Sequence, residues 1–398
     1  MRSRFAAMVA MLFWLLPATP SAGGAPPRQG AATSLDRMVD VGGHRLHFII
    51  IPGRGTPILF EAGGGDDAGV WGEIASSVAA VTGAPVLAYD RAGFGKSEVR
   101  AGGRIEDHGI LNGVADLESA LKTLGYDRQI VLVAHSYGGF YSTLYAARHP
   151  GRVRYAVLID ANHACWFTPA YVGKLMSEID GDLPGLKAQG ELGRYYQSAN
   201  IPRTVDVMRR TPFPATIPAI DLVSERPPFP DPGDVERWRD CHRQFASAAP
   251  NREGITAHGA GHYIFRDNPA LIVSAIVKAY ARIVAPAVRT ALLQRAAAHA
   301  VGAANEAGRR EAAFRHSERD LNDWGYRLMP GQLPIAVDVL KLNTELHPDS
   351  WNAYDSYGEA LLKAGRKDDA IAMYRKSVAL NPGNANAKAV LKRLAAGE

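Results

Sequence analysis

Cysteine is scarce in this sequence. Only Cys165 and Cys241 occur among 398 residues, and the chain has neither a CxxC pair nor an HExxH motif. Structural zinc sites and iron–sulfur clusters need several such ligands, so we expect no metal and no other cofactor. An oxidising compartment would permit a disulfide between the two cysteines, but the sequence leaves their pairing open.

Runs of like charge are also missing. Forty-five Lys and Arg residues oppose 40 Asp and Glu residues, and the net charge of +5 is scattered along the chain. Proteins that bind nucleic acid present clusters or stripes of basic residues, so we expect no nucleic-acid partner. A composition of 47% hydrophobic and 21% charged residues is typical of a folded globular protein.

No apolar run is long enough to cross a bilayer. The run at residues 5–16 is far shorter than the stretch of about 20 residues that a membrane-spanning helix needs. Arg2 and Arg4 precede this run and small residues follow it at 18–24, which is the order of a secretory signal peptide. The sequence therefore predicts a signal peptide over residues 1–25, no stable membrane span after its cleavage, and a secreted or periplasmic protein.

Short apolar runs alternate with helical periodicity over the next part of the chain. The runs predict strands at 38–41, 44–51, 57–62, 85–90, 129–135, 155–160 and 217–223, and the periodicity predicts helices at 70–81, 107–124, 137–148, 235–248 and 269–284. Such alternation indicates an α/β domain with a mostly parallel sheet, which we place at residues 36–285. Within this domain, Gly42 and Gly43 predict a hairpin that precedes the first buried strand at 57–62. A helical insert at about 161–216 interrupts the alternation and predicts a lid.

The chain becomes Ala-rich and helical throughout after about residue 288. At an offset of about 34 residues Ala336 pairs with Ala370 and Pro348 with Pro382. The two units resemble tetratricopeptide repeats, whose small, aromatic and proline positions fall at Ala370, Tyr374 and Pro382. We expect an all-α domain with connecting helices over 286–316 and tetratricopeptide-like repeats over 317–398, which could bind a protein partner.

A serine stands where a predicted strand turns into a helix. The strand at 129–135 leads directly to Ser136, and Tyr137, Gly138 and Gly139 begin the helix. Small residues must flank a serine in such a turn because backbone approaches backbone closely there. Ala134 occupies the position where a glycine is usual. This pattern predicts Ser136 as a nucleophile.

Other segments provide the remaining parts of a site for acyl transfer. Glycines at 63–65 follow the first buried strand, where backbone N–H groups can stabilise a developing oxyanion. We expect the N–H groups of Gly64 and Tyr137 to be these donors. His262 follows two glycines late in the domain and is the predicted general base, with His258 as the competing residue.

Three segments in order carry a family resemblance. YDRAGFGKS at 89–97, AHSYGG at 134–139 and GAGHYI at 259–264 resemble the motifs of α/β-hydrolases. The resemblance implies a Ser–His–acid triad with Ser136 as nucleophile and His262 as base. Some members of the family open epoxides or displace halide with an Asp nucleophile, and Ser136 argues against both reactions. Asp90 and Arg91 are expected to brace a loop near the site.

The acid of the triad is left open by the sequence. Members of the family commonly place an Asp after the seventh strand, where this chain has Glu225 in the segment VSERPP. Other members use the end of the sixth strand, which is the position of Asp160. We rank Asp160 ahead of Glu225, and Asp221 third because it lies inside an apolar strand.

These residues predict an exported serine hydrolase that cleaves a small to medium carboxylic ester through an acyl-enzyme. Trp166, Phe167 and Tyr171 in the insert are expected to line an acyl pocket, although aromatic residues at this spacing also form lid cores. An aminopeptidase or amidase of the same fold is the nearer alternative. A non-catalytic scaffold that binds a partner through its helical repeats is an alternative of another class.

Overall fold

The structure is a computed structural model that describes residues 34–307, 318–330 and 333–395. The predicted signal peptide at 1–25 and part of the predicted connecting segment lie outside the described residues. The chain divides into two compact units. One contains the residues up to Thr256 with Gly261–Ile264 and Ala275–Ile283, and the other contains Ala257–Ala260, Phe265–Ser274 and the residues from Val284 onward.

An eight-stranded sheet has the order β1-β2-β4-β3-β5-β6-β7-β8. Its strands are β1 (Leu35–Asp40), β2 (Arg45–Ile51), β3 (Ile58–Glu61), β4 (Val86–Tyr89), β5 (Ile130–His135), β6 (Val153–Ile159), β7 (Ala219–Arg226) and β8 (Arg252–Gly261). The first two strands form the predicted antiparallel hairpin, in which Gly42 and Gly43 have φ angles of 95° and 99°. The strands from β3 to β7 pair in parallel, so the predicted mostly parallel sheet is confirmed.

Helices lie between the strands from β3 onward and after β8. They are α1 (Gly72–Thr82), α2 (Ile110–Leu124), α3 (Gly138–Arg148), α4 (Pro169–Ile179), α5 (Leu183–Ala188), α6 (Leu192–Ala199), α7 (Ile201–Arg209), α8 (Pro232–Ser247), α9 (Ile264–Asp267) and α10 (Pro269–Ile283). Every residue of β3, β4 and β5 is buried, as expected for a parallel sheet with both faces covered. Because the parallel strands end at the same edge, the residues that follow β3, β5 and β6 come together there.

The helical insert lies between β6 and β7 and consists of α4 to α7. Thr168 caps the first of these helices, since its hydroxyl accepts a hydrogen bond from the Tyr171 N–H at 3.1 Å. Just before this cap, Cys165 forms a disulfide with Cys241 of α8, with the two Cα atoms 5.8 Å apart. The disulfide therefore ties the start of the insert to the helix that follows β7.

Three elements differ from the sequence-based predictions. The last strand, β8, runs from Arg252 through Gly261, a segment in which no strand was predicted from the sequence. The predicted helix at 107–124 is divided into a 3-10 turn at Ile105–His108 and α2, because Gly109 between them has an extended backbone. The predicted helix at 70–81 likewise begins with a 3-10 turn, at Ala68–Trp71.

The second unit contains a series of helices, namely α11 (Pro286–Ala307), α12 (Glu318–Leu328), α13 (Leu333–Leu346), α14 (Trp351–Lys363), α15 (Lys367–Leu380) and α16 (Ala385–Ala395). A Cβ on Gly358 of α14 would lie 3.2 Å from the Tyr374 ring of α15, and a Cβ on Gly325 of α12 would overlap Leu340 of α13. Each pair of helices thus approaches closely at a glycine. Their identity as tetratricopeptide-like repeats stays a prediction. Among the described residues, no helix is both long and apolar enough to cross a membrane.

Candidate active site

Ser136 occupies the sharp turn between β5 and α3. Its φ angle is 50°, which lies in the left-handed region that residues other than glycine rarely adopt. A Cβ on Gly138 would lie 2.6 Å from the Ala62 carbonyl oxygen, and one on Gly139 would lie 2.8 Å from the Ala161 Cβ. Both positions therefore require glycine, as the sequence pattern predicts for this turn.

Asp160 lies in a matching turn at the end of the neighbouring strand β6. Its φ angle is 44°, and Ser136 and Asp160 are the only non-glycine residues with positive φ in the part of the chain that the structure describes. The Ser136 N–H donates to the Ile159 carbonyl at 3.2 Å, and the Asn162 N–H donates to the Ser136 carbonyl at 2.8 Å. Backbone strain of this kind persists where the surroundings fix it and is concentrated at functional sites.

The Asp160 carboxylate is wholly buried and fully hydrogen-bonded. His262 Nδ1 lies 2.7 Å from Oδ2, and the Ser224 hydroxyl donates to the same oxygen at 2.7 Å. The Ser224 N–H and Trp238 Nε1 both donate to Oδ1 at 2.9 Å. Burial opposes ionisation, but the His262 hydrogen bond and charge, the His242 charge and the Ser224 N–H lower the pKa of Asp160 below its ordinary value. Asp160 is therefore a carboxylate that orients the His262 ring.

His262 also lies beside the residue that precedes the serine turn. The His262 carbonyl oxygen is 3.1 Å from His135 Nε2, and the centroids of the two rings are 4.6 Å apart. The His262 side chain is 14% exposed, whereas the Asp160 side chain is inaccessible to solvent. The structure thus brings Ser136, His262 and Asp160 to one edge of the sheet.

The other two carboxylates considered from the sequence lie elsewhere. Glu225 is exposed near the end of β7, where its carbonyl oxygen accepts a hydrogen bond from Arg239 at 2.6 Å. Asp221 is buried within β7 and bonded to His242 and His163. Sequence reasoning missed Ser224 and Trp238 as partners of Asp160. Ser224 adjoins the segment searched for the acid, but its contact with a residue of another strand has no local signal.

A small recess adjoins Ser136, with about 360 Å³ of space free of protein atoms, part of it open to solvent. Its lining consists of Gly64, Ser136, Tyr137, Phe140, Asn162, Phe167, Leu175, Ile201, Thr204 and Val205. The two predicted oxyanion donors thus border the same recess as the serine. Most of the remaining lining is apolar and comes from α3 and the insert.

Of the three aromatic residues predicted to line an acyl pocket, Phe167 alone borders this recess. Trp166 is fully buried, with its ring 4.5 Å from that of Phe229 and 5.3 Å from that of Trp238. Tyr171 borders a separate recess beside Phe229. Trp166, which precedes α4, and Tyr171 in α4 thus pack together in an aromatic core, with their ring centroids 4.1 Å apart.

Three side chains near α8 are of the types that can ligate a metal. His163, Asp221 and His242 place donor atoms within 4.8 Å of one another. One Asp221 oxygen is 2.7 Å from His242 Nδ1, and the other is 3.4 Å from His163 Nε2. These hydrogen bonds account for the arrangement of the cluster, which lies outside the recess.

Comparisons with known proteins agree with this architecture. Residues 56–275, more than half of the chain, match the alpha/beta hydrolase fold family. An uncharacterized Bacillus subtilis protein, YqjL, is 24% identical over 222 residues, which are 56% of this chain and 82% of YqjL. The human (lyso)-N-acylphosphatidylethanolamine lipase is 30% identical over 105 residues, which are 26% of this chain and 30% of the lipase.

The solved structure of the epoxide hydrolase VrEH1 from Vigna radiata has a similar fold. It superimposes with a TM-score of 0.51 at 15% identity, over 64% of this chain and 100% of VrEH1. The chain belongs to the alpha/beta hydrolase fold family. The match to the human lipase spans less than a third of that enzyme's length.

Proposed function

We propose that this protein is an exported serine hydrolase that cleaves small to medium carboxylic esters through an acyl-enzyme. The observation that carries this proposal is the placement of Ser136 in a left-handed turn beside a recess, with the buried His262–Asp160 pair at the same sheet edge. Membership of a hydrolase family supports the reaction class. A serine in this position, rather than a carboxylate, favours acyl transfer over epoxide opening.

In the proposed mechanism His262 removes the Ser136 hydroxyl proton as the oxygen attacks the ester carbonyl. The oxyanion of the tetrahedral intermediate accepts hydrogen bonds from the N–H groups of Gly64 and Tyr137. Asp160 stabilises the imidazolium and stays ionised, in agreement with its lowered pKa. His262 then protonates the leaving alkoxide, and the same base activates the water that hydrolyses the acyl-enzyme.

The lining of the recess favours an uncharged, short acyl group. Among the described residues that border it, none is acidic or basic, and Phe140, Leu175 and Val205 are apolar. An aminopeptidase would need a carboxylate to balance the substrate ammonium, so this lining favours an ester over an aminoacyl substrate. Amide cleavage stays the nearer alternative. The human relative is named a lipase, which agrees with an ester substrate.

A fluorophosphonate probe tests the reaction class directly, because it forms a covalent adduct with an activated serine. We expect the wild-type protein to be labelled at Ser136 and Ser136→Ala to remain unlabelled, with the adduct located by peptide mass spectrometry. Ser142→Ala is the matched control and should leave labelling intact, since Ser142 is a buried serine of α3, the helix that follows Ser136. A folded wild-type protein that resists the probe would contradict the proposal.

A series of p-nitrophenyl esters tests the size of the acyl group. Acetate and butyrate esters should be cleaved with higher kcat/KM than the decanoate ester, because the recess next to Ser136 is small. Aminoacyl p-nitroanilides should be poor substrates. Faster cleavage of the anilides than of the esters would favour the amidase alternative.

Export of the protein is also a proposal. It is supported by the predicted signal peptide and by the Cys165–Cys241 disulfide, since disulfides persist in oxidising compartments. Expression of the full chain with a C-terminal tag in a bacterial host should give an exported product that lacks residues 1–25. A product that keeps an intact N-terminus would contradict this proposal.

A partner-binding role for the C-terminal helices is a second proposal. The matching close approaches at Gly325 and Gly358 support a description of these helices as two tetratricopeptide-like units. Deletion of residues 317–398 should leave ester cleavage largely intact if the units only recruit a partner. Loss of folded protein after this deletion would show instead that they support the rest of the chain.

A further inference from the structure

Arg91 contacts the backbone that carries one of the proposed oxyanion donors. Its side chain is only 4% exposed, and its guanidinium reaches the loop that follows β3. Nη1 donates to the Ala62 carbonyl oxygen at 2.6 Å, and Nη2 donates to the Gly63 carbonyl oxygen. The two carbonyls that immediately precede Gly64 are therefore held by one planar cation.

The Gly63 carbonyl and the Gly64 N–H belong to the same peptide group. Peptide groups are planar, and the described residues contain no cis peptide bond, so this C=O and N–H point in opposite directions. A hydrogen bond that fixes the direction of the Gly63 oxygen thus also fixes the direction of the Gly64 N–H. Gly64 borders the recess beside Ser136, where that N–H would meet the oxyanion.

The backbone of this segment is intrinsically flexible. Gly63, Gly64 and Gly65 follow one another, and glycine has more accessible backbone conformations than any other residue. Gly65 has a φ angle of 82°. The Asp66 N–H also donates to the Gly63 oxygen, but this hydrogen bond is long at 3.4 Å. The shorter bonds from Arg91 are therefore the stronger restraints on this peptide.

Arg91 is itself held in place on several sides. Its guanidinium carbon lies 5.3 Å from the ring centroid of Phe94, 5.8 Å from that of Tyr137 and 5.2 Å from that of Tyr141. The Glu61 carboxylate lies 3.8 Å from Nη1. Since Tyr137 supplies the second proposed donor, the same cation contacts the residues on both sides of the oxyanion position.

We propose that Arg91 is a positioning residue that pre-organises the Gly64 N–H for the oxyanion by holding the Ala62 and Gly63 carbonyls. This inference rests on the acyl-transfer function proposed above. A donor that is fixed in advance needs no reorganisation as charge develops, so its contribution appears in the transition state rather than in substrate binding.

The test uses the full-length protein with Arg91→Met, Arg91→Lys and a matched control, Arg100→Met. Arg100 borders the same cavity as Arg91, but its side chain is 41% exposed and pairs with Asp116 at 3.3 Å. For each variant we would measure kcat and KM for p-nitrophenyl butyrate. We would also measure two inhibition constants. One is for butylboronic acid, which forms a tetrahedral adduct with the serine, and the other is for butyrate, which resembles the ground state.

Arg91→Met should lower kcat by about 100-fold and weaken the boronic acid by a similar factor, while KM and the butyrate constant change by less than about 3-fold. Arg91→Lys should lie between this variant and wild type, because an ammonium lacks the planar fork that holds two carbonyls. Arg100→Met should behave as wild type. A general loss of folded protein would lower the apparent kcat alone and would leave KM and both inhibition constants unchanged, so weaker binding of the boronic acid separates the two cases.

The inference is overturned if folded Arg91→Met or Arg91→Lys keeps the wild-type kcat and boronic acid affinity. It is also overturned if KM and the butyrate constant rise while kcat is unchanged, since Arg91 would then bind substrate. Should Arg91→Met fail to fold, Arg91→Lys decides the question. Wild-type protein that neither reacts with a fluorophosphonate nor cleaves the ester would defeat the proposed function itself, which distinguishes the two failures.

Discussion

Two Asp–His pairs in this protein share their chemistry and differ in their placement. Asp160 is 2.7 Å from His262 Nδ1, Asp221 is 2.7 Å from His242 Nδ1, and both carboxylates are inaccessible to solvent. The His262 side chain is 14% exposed, whereas that of His242 is 3% exposed. A buried Asp–His pair therefore marks a candidate reaction site only where it also lies at the sheet edge that carries the serine turn, as His262 does beside His135.

The position of each aspartate along its strand explains why His262 is more exposed than His242. Asp160 follows the last residue of β6, at the edge where the parallel strands end, whereas Asp221 lies within β7. His242 is enclosed by aromatic rings, with its centroid 4.9 Å from that of Trp238 and 4.7 Å from that of His163. We expect the Asp160–His262 pair to serve reactivity and the Asp221–His242 pair to serve stability.

The largest effect should come from Asp160→Asn. The amide cannot hold the His262 ring in the required tautomer or stabilise the imidazolium, so kcat for p-nitrophenyl butyrate should fall by about 10⁴-fold. Glu225→Gln is the matched control and should keep nearly full activity, because Glu225 is exposed near the end of β7. The opposite pattern in steady-state kinetics, with Glu225→Gln inactive and Asp160→Asn active, would reassign the acid.

Asp221→Asn should affect stability instead. It removes the charge that balances His242 in a buried site, and breaking a buried ion pair costs about 3–5 kcal/mol. The free energy of unfolding from urea titration should fall by this amount, while kcat of the folded fraction changes by less than about 10-fold. A loss of kcat as large as that of Asp160→Asn, with stability retained, would remove the distinction between the two pairs.

The Cys165–Cys241 disulfide should stabilise the region around the Asp221–His242 pair. Cys241 adjoins His242, Cys165 lies two residues after His163, and the bond closes a separation of 76 residues. Replacement of both cysteines by alanine should lower the free energy of unfolding by about 2–4 kcal/mol, with little change in kcat of folded protein. Equal unfolding transitions with and without a reductant in the wild type would contradict this expectation.

The second pair should also give stability a characteristic pH dependence. Burial opposes the charge on His242, but Asp221 raises the pKa of His242 above 6.5, and the two histidines lower the pKa of Asp221 despite its burial. The Asp221 contribution is therefore lost as the pH falls through its lowered pKa, and the His242 contribution is lost as the pH rises through its raised pKa.

The stability difference between wild type and Asp221→Asn should consequently be greatest between about pH 4 and pH 6.5 and smaller above this window, by on the order of 1 kcal/mol for each unit of pKa shift. Urea titrations of both proteins at several pH values measure it. A difference that grows from neutral to alkaline pH would show that His242 is neutral in the folded protein.

Much of the fold and part of the candidate site could be predicted because their signals are local. Alternating apolar runs indicate the parallel strands, and glycines identify the turn at Ser136 and the approach to His262. Asp160 could be ranked first because it directly follows a strand, so its place at the sheet edge follows from the topology.

The rest depends on contacts between distant segments. Trp238 meets Asp160 across 78 positions of the chain, and Arg91 reaches the Ala62 carbonyl across 29 positions. Neither contact leaves a periodicity or spacing that a single sequence reveals. The same holds for Phe167, which borders the recess while the adjacent Trp166 is buried elsewhere, because the packing of the insert decides between neighbouring aromatic residues.

Trp238 gives the sharpest comparison of the two pairs, because it contacts both. Its Nε1 donates to Asp160 Oδ1 at 2.9 Å, while its ring lies 4.9 Å from that of His242. Trp238→Phe keeps an aromatic ring but removes this donor, leaving Asp160 with Ser224 and His262. A hydrogen bond to a charged group contributes about 1.5–3 kcal/mol, and the remaining donors should limit the loss of kcat to about 10-fold.

Trp238→Phe should lower kcat less than Asp160→Asn because Asp160 has other hydrogen-bond partners. The Ser224 N–H still donates to Oδ1, and His262 Nδ1 still meets Oδ2, so the carboxylate should keep its orientation. Steady-state kinetics of Trp238→Phe with the butyrate ester report on the Asp160–His262 pair. Urea titration of the same variant reports on the Asp221–His242 pair. A loss of kcat near that of Asp160→Asn would show that the indole N–H fixes the orientation of Asp160, and the two pairs would then act as one network rather than as separate devices for reactivity and stability.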